Sequence, residues 1–154
     1  MTDPGDFDCK FRPADPSDYS QLHRLIRKCW VELYAPHIPK ASVRRFLDSD
    51  SIGKHLEAFL PFSDVAVVDG VVVGVIGLFE QSITSLFVAK RCRGFQIGTC
   101  LLHNAELAGG RTLEVAAFNW RAIGFYAARG WRKVGECSED VGGARVEAFR
   151  MERC

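Results

Sequence analysis

Apolar residues at Tyr19, Leu22, Leu25, Ile26, Cys29, Trp30 and Leu33 recur every three or four positions and predict a helix with one buried face. The start of that helix is written just upstream. Asp15-Pro16-Ser17-Asp18 offers a capping carboxylate, a proline at the first helical position and acid in the first turn. Before it, Cys9 to Arg12 reads as a strand that ends at Pro13. Pro36 and Pro39 break the chain, and a second helical stretch, Val43 to Leu60, is interrupted near Asp50 to Gly53 and stopped by Pro61. The period then shortens. Val65 to Val68 and Val71 to Phe79 flank Asp69-Gly70, a strong hairpin signal, and Ile83 to Val88 is a third strand. A helix after the next turn ends at Gly109-Gly110, and Thr112 to Phe118 is a strand. Asn119 caps a helix from Trp120 to Arg129 that Gly130 closes. Trp131 to Cys137 and Ala144 to Met151 are strands around Gly142-Gly143. The order predicts one α/β (α+β) domain over residues 1–154, a mixed sheet with helices on both faces.

Composition narrows the function classes. A chain of 154 residues is long enough to bury about two-thirds of its unfolded surface. With 47% hydrophobic and 25% charged residues it reads as a globular protein, and a net charge of +1 argues against nucleic acid or a membrane as a partner. The longest apolar run, Val71 to Phe79, is too short to span a bilayer. The acidic start (Asp3, Asp6, Asp8) does not resemble a signal peptide, so a cytoplasmic protein is expected. Cys9, Cys29, Cys92, Cys100, Cys137 and Cys154 form no CxxC pair and lie near no histidine at zinc-ligand spacing, so they are expected to be reduced structural thiols and no metal is predicted.

Chemistry concentrates in Leu86 to Leu102, LFVAKRCRGFQIGTCLL. A strand, a basic glycine-containing turn and an apolar helix in that order make an anion site. Backbone N–H groups of the turn and of the first helical residues lack intrachain acceptors, and the helix dipole adds to their pull. Lys90, Arg91 and Arg93 make the turn basic, so a phosphate or pyrophosphate is the expected guest. An ordinary βα connection with surface arginines is the alternative.

A second segment, Asn119 to Trp131 (NWRAIGFYAARGW), follows the strand Leu113-Glu114-Val115. Together the two segments resemble the GNAT superfamily of acyl-CoA-dependent N-acyltransferases. The family turn, Arg or Gln, two residues, Gly, one residue, then Gly or Ala, is matched by Arg93-Gly94-Phe95-Gln96-Ile97-Gly98, followed by Leu101-Leu102. Asn119, Ala122, Phe125, Tyr126, Gly130 and Trp131 match the second family segment, and the resemblance covers nearly the whole chain. One position departs. Gln96 stands where the family usually has the first motif glycine, a residue that permits close backbone approach or positive φ.

The resemblance implies a mostly antiparallel sheet of about six to seven strands, in which Ile83–Val88 and Thr112–Phe118 splay apart. The pantetheine arm of acetyl-CoA is then expected along Leu86, Phe87 and Val88, with the pyrophosphate on Arg93, Gly94, Phe95, Gln96, Ile97, Gly98 and Thr99. A backbone N–H near Phe87 or Val88 would polarise the thioester carbonyl. By the same resemblance Tyr126 is the general acid for the departing thiolate, since a phenol with a reference pKa near 10 is protonated at neutral pH. A core tyrosine with a hydrogen-bonded hydroxyl is the other reading of that residue. Asn119 is a helix cap, a cofactor contact, or both. Many relatives place a glutamate where this chain has Ser82, so Glu80, acting directly or through a water, is the candidate base and Glu114 the runner-up. The loop Tyr34-Ala35-Pro36-His37-Ile38-Pro39 borders the thioester in relatives, which makes Trp30, Tyr34 and His37 candidate acceptor contacts. His23, His55 and His103 receive no role.

The expected activity is transfer of acetyl from acetyl-CoA to a primary amine of a small molecule by direct attack. A protein N-terminal or lysine acetyltransferase is an alternative, against which the lid-like Tyr34–Leu60 segment argues. A catalytically silent acyl-CoA-binding module is another, favoured by Gln96 and Ser82 and opposed by the Tyr126 motif. A nucleotide-binding Rossmann domain is disfavoured because serial βαβ units are missing. Acceptor identity, acyl length and oligomeric state, a homodimer included, are left open by the sequence.

Overall fold

A computed structural model describes residues 8–153. The readings of Asp3, Asp6 and Cys154 concern positions outside these residues. Seven strands and five α-helices occur among the described residues. In chain order they are β1 (Cys9–Pro13), α1 (Tyr19–Tyr34), α2 (Lys40–Asp48), α3 (Ser51–Phe59), β2 (Ser63–Val68), β3 (Val71–Phe79), β4 (Ser82–Val88), α4 (Ile97–Leu107), β5 (Thr112–Ala116), α5 (Trp120–Ala127), β6 (Trp131–Val141) and β7 (Ala144–Arg153). Short 3₁₀ turns lie at Pro16–Asp18, Leu60–Phe62 and Lys90–Cys92. The chain forms two compact units, one from residues 8–29 and 52–110 and the other from residues 30–51 and 111–153.

The first unit is a four-stranded antiparallel sheet in the order β1-β2-β3-β4. Six successive residues of β3, Val72 to Gly77, are buried, so both faces of that strand are covered. One cover is α4. A Cβ on Gly74 would sit 3.1 Å from Leu101 Cδ1 and 3.3 Å from Ile97 Cγ2, so the glycine lets the helix lie directly on the strand. The N-terminal part of α1 and most of α3 contribute Leu22, Ile26, Cys29, Ile52 and Leu56 to the buried set. Between β3 and β4 the register slips. Gly77 pairs with Ser85 and Leu78 with Ile83, leaving Thr84 as an extra residue in β4.

The second unit has β7 between β5 and β6, both pairings antiparallel. Trp30, Ala116, Val141 and Val146 form its buried centre, with Tyr34, Ile38, Val43, Phe46 and Phe118 packed around them. The β6–β7 hairpin ends on α2. Arg45 Nε donates to the Gly142 carbonyl at 3.0 Å, and a Cβ on Gly142 would clash with the Ser42 carbonyl oxygen, so a side chain there would push α2 away.

The α/β class with a mostly antiparallel set of strands is the one expected from the sequence. Several boundaries differ. The second helical stretch breaks at Ser49–Asp50, where Asp50 takes φ 53°, and helix resumes at Ser51, two residues before the predicted interruption ends. β5 stops at Ala116 because Asn119 N–H turns back to the Ala116 carbonyl at 2.9 Å. α5 ends at Ala127, with Arg129 and Gly130 in the turn that leaves it. β6 and β7 run four and two residues longer than predicted, since Ser138–Asp140 stay paired with Arg145–Glu147 although they carry no apolar alternation.

Candidate active site

The turn after β4 joins that strand to α4. A 3₁₀ turn, Lys90–Cys92, leads through Arg93 and Gly94 to Gln96, which caps α4 with its backbone. Gly94 has φ 87° and Gln96 φ 70°, ψ 8°, so both occupy the left-handed region. Gln96 therefore takes the conformation that a glycine would adopt without cost. Its side chain does not cap α4, and the Cys100 N–H is the donor to its carbonyl at 3.0 Å. The N–H groups of Ile97 and Gly98 stand in the first turn of an eleven-residue helix, where helix geometry provides no acceptor.

Lys90 and Arg91 are exposed at this turn, whereas Arg93 folds back. Its Nε donates to the Val88 carbonyl at 3.1 Å, and Nη2 lies 3.8 Å from Cys29 Sγ, itself 3.6 Å from the same carbonyl. Arg93 thus ties the turn to the end of β4 and is not a free rim charge. In β4 the hydroxyl of Thr84, the extra residue of the slip, is buried without a hydrogen-bond partner. Its oxygen lies against Gly77, where a Cβ would clash with it, while Ser85 Oγ and Ser63 Oγ stand 3.1 and 3.4 Å from that Cβ position. Glu80 is exposed in the β3–β4 turn with φ 56°. About 20 Å of extended strand separates Ser82 from Val88, so Glu80 and the anion turn lie at opposite ends of β4.

The second unit holds the phenol. Asn119 Oδ1 accepts from the Ala122 N–H at 3.3 Å and caps α5, leaving its amide nitrogen without a partner among the described residues. Seven residues on, Tyr126 is 7% exposed, its ring packed on Phe125 and Trp131 at centroid distances of 5.4 and 5.9 Å. No described residue hydrogen-bonds its hydroxyl. Burial alone pushes the phenol well above the ordinary tyrosine value.

The acceptor candidates lie in the same unit. Trp30 is 5% exposed and stacks on Phe46 at 4.0 Å, so the structure places it in the core, under Tyr34, and offers no ring face to a substrate. The Tyr34 hydroxyl donates to Glu139 Oε1 at 2.8 Å, and its ring meets Phe118 edge-on at 5.2 Å. Burial first, then the Glu139 charge and hydrogen bond, raise the Tyr34 phenol far above the usual range. His37 is exposed and stacks on Phe118 at 4.2 Å, 10° from parallel. Phe118 and Glu139 thus join Tyr34 and His37, although neither belongs to a motif. Glu114 is exposed on β5, and burial first, then the Glu114 charge, raises the Cys137 thiol. The five described cysteines are free thiols, and no group of three or more His, Cys, Asp or Glu among the described residues is placed to hold a metal. No helix among the described residues is long and apolar enough to cross a membrane.

Residues 58–133 match the family model of the acetyltransferase (GNAT) domain, a segment that contains the anion turn, Asn119 and Tyr126. No curated protein matches the chain by sequence. Among solved structures, apo YjaB from Escherichia coli superposes with a TM-score of 0.74 at 21% identity, covering 94% of this chain and 96% of that one. PaiA N-acetyltransferase from Thermoplasma acidophilum, solved in complex with coenzyme A, gives 0.72 at 17% identity over 95% and 98%. NAA60 from Arabidopsis thaliana, solved with a bisubstrate analogue, gives 0.68 at 17% over 94% and 96%. Residues 58–133 therefore carry a GNAT acetyltransferase domain, and the chain has the fold of N-acetyltransferases.

Proposed function

We propose that the protein transfers acetyl from acetyl-CoA to a primary amine of a small-molecule acceptor by direct attack. The observation that carries this reading is Tyr126. Its ring is packed on Phe125 and Trp131 within the family segment, and its phenol is protonated at neutral pH, the state that a departing thiolate needs. The turn Arg93–Thr99 would hold the diphosphate, and the backbone of Leu86, Phe87 and Val88 the pantetheine arm. PaiA holds coenzyme A, which supports the same donor here. Because Gln96 keeps the left-handed shape of a glycine, the substitution leaves the turn's form intact, which speaks against a decayed, silent module.

On the acceptor side the proposal assigns Tyr34 and His37 to contacts, with Trp30 supporting Tyr34 from the core. An alkylammonium must lose a proton before it attacks. Glu80 is the proposed base, acting through water, with Glu114 the runner-up. In balance, the amine nitrogen forms the C–N bond, the C–S bond breaks, the amine proton leaves through water, and Tyr126 protonates the thiolate.

The test is Tyr126→Phe. Its expected kcat is about 10²–10⁴-fold lower, with acetyl-CoA affinity retained. Full turnover by the variant on an amine panel would overturn the assignment.

A further inference from the structure

We propose that Arg93 is a latch on the donor site, released in full only by a ligand that carries both an amide and a diphosphate. The inference rests on the coenzyme A reading above and adds how this chain selects that ligand. Every group involved belongs to the first unit. The register of β3 and β4 fixes which way each β4 carbonyl points. Ala89 N–H donates to the Val73 carbonyl at 2.8 Å and Phe87 pairs with Val75, so the backbone groups of Phe87 and Ala89 face β3. Those of Leu86 and Val88 face away from it. The Val88 carbonyl therefore lies on the strand edge where an extended arm would pair.

That carbonyl is already in use. Arg93 Nε donates to it at 3.1 Å, and the Cys29 thiol donates to it at 3.6 Å. Arg93 Nη2 lies 3.8 Å from the same sulfur, so the three groups form one closed set. A carbonyl oxygen has two lone pairs, and two donors meet this one. An arm amide that takes the Val88 carbonyl must displace one of them. Cys29 is packed in the core at 6% exposure, whereas Arg93 is exposed, so the arginine is the donor that moves.

Moving costs Arg93 a charge-assisted hydrogen bond, which only another acceptor restores. A diphosphate on the turn supplies one, because Arg93 stands where the 3₁₀ turn ends, just before the cap of α4. Either half of the ligand alone leaves a loss. A phosphate that draws Arg93 away takes a donor from the Val88 carbonyl, and an arm amide on Val88 costs Arg93 its acceptor. The exchange is complete only when amide and diphosphate arrive on one molecule.

The experiment is calorimetric titration of coenzyme A and pantetheine into wild type, Arg93→Met and Arg91→Met. Arg93→Met keeps the stem and removes the donor and the charge. It is expected to bind pantetheine about fivefold more tightly than wild type and coenzyme A about tenfold more weakly. Arg91, exposed in the same turn, controls for charge alone. Arg91→Met should weaken coenzyme A and leave pantetheine as in wild type. Pantetheine affinity that is unchanged or lower in Arg93→Met overturns the proposal, as does an equal gain in Arg91→Met. Unaltered protein offers a second readout, the Arg93 Nε–H resonance assigned through its own backbone. Saturating coenzyme A should shift it as the acceptor changes from carbonyl to phosphate, and an unmoved signal with coenzyme A bound also overturns the latch. Failure of the acetyltransferase reading shows separately, as no heat from coenzyme A on wild type.

Discussion

Gln96 holds a side chain in a backbone region that costs an L-residue about 1–2 kcal/mol. Glycine would remove that strain while adding up to about 1 kcal/mol of unfolded-chain entropy. Gln96→Gly should therefore leave stability unchanged or slightly higher and should not weaken acetyl-CoA. A loss of several degrees in the melt would show that the glutamine side chain makes a stabilising contact. Thr84 poses the opposite question, because its strain is polar. Thr84→Val keeps the shape and removes a buried unpaired hydroxyl, so an increase of about 1 kcal/mol, or about 2–4 °C, is expected. A drop in thermal unfolding temperature would mean that the hydroxyl binds an ordered water among Ser63, Ser85 and Gly77.

The entry to α1 shows how an element is set by local chemistry. Ser17 N–H donates to Asp15 Oδ2 at 2.9 Å, Asp15 N–H donates to Asp18 Oδ2 at 2.8 Å, and Arg12 from β1 bridges both Asp18 oxygens at 2.7 and 2.9 Å. The Arg12 hydrogen bonds hold the Asp18 carboxyl below its ordinary value, against the effect of burial. A lowered folded value means that the unfolded chain binds the proton more readily. The stabilisation is therefore complete above pH ~4 and is lost as pH falls through the folded value. Asp18→Asn should cost about 1–3 kcal/mol at pH 7, at the low end because Arg12 is 43% exposed and screened by solvent. Urea unfolding at pH 7 and pH 3 checks this, and the difference between variant and wild type should shrink in acid. The cap at Asp15-Pro16-Ser17-Asp18 was legible in the sequence because its groups are contiguous, whereas the Arg12 bridge, which comes from a neighbouring strand, was not. The extent of β6 was not, since Ser138–Asp140 are held by pairing with another strand and not by their own pattern. The same divide runs through the site. The anion turn and Tyr126 sit in contiguous motifs, whereas Glu139 meets Tyr34 across 105 positions and Phe118 follows a strand without any motif of its own.

At the scale of the molecule, a net charge of +1 leaves little long-range field, and the positive charge that matters is local, at Lys90 and Arg91 beside the N-terminus of α4. Binding of acetyl-CoA is then expected to depend on its phosphates meeting that turn more than on general attraction, and to weaken only modestly with salt. A ligand at a hundred times its dissociation constant stabilises the fold by about 2.7 kcal/mol, which for a chain of this length raises the melt by about 5–10 °C. Coenzyme A and acetyl-CoA should both produce that shift, and pantetheine, which lacks the diphosphate, should produce far less. If pantetheine shifted the melt as far as coenzyme A, the backbone of β4 would be the main contact and the turn a minor one. If none of the three did, the fold would be present without its donor site, and Tyr126 would be a buried phenol with nothing to protonate.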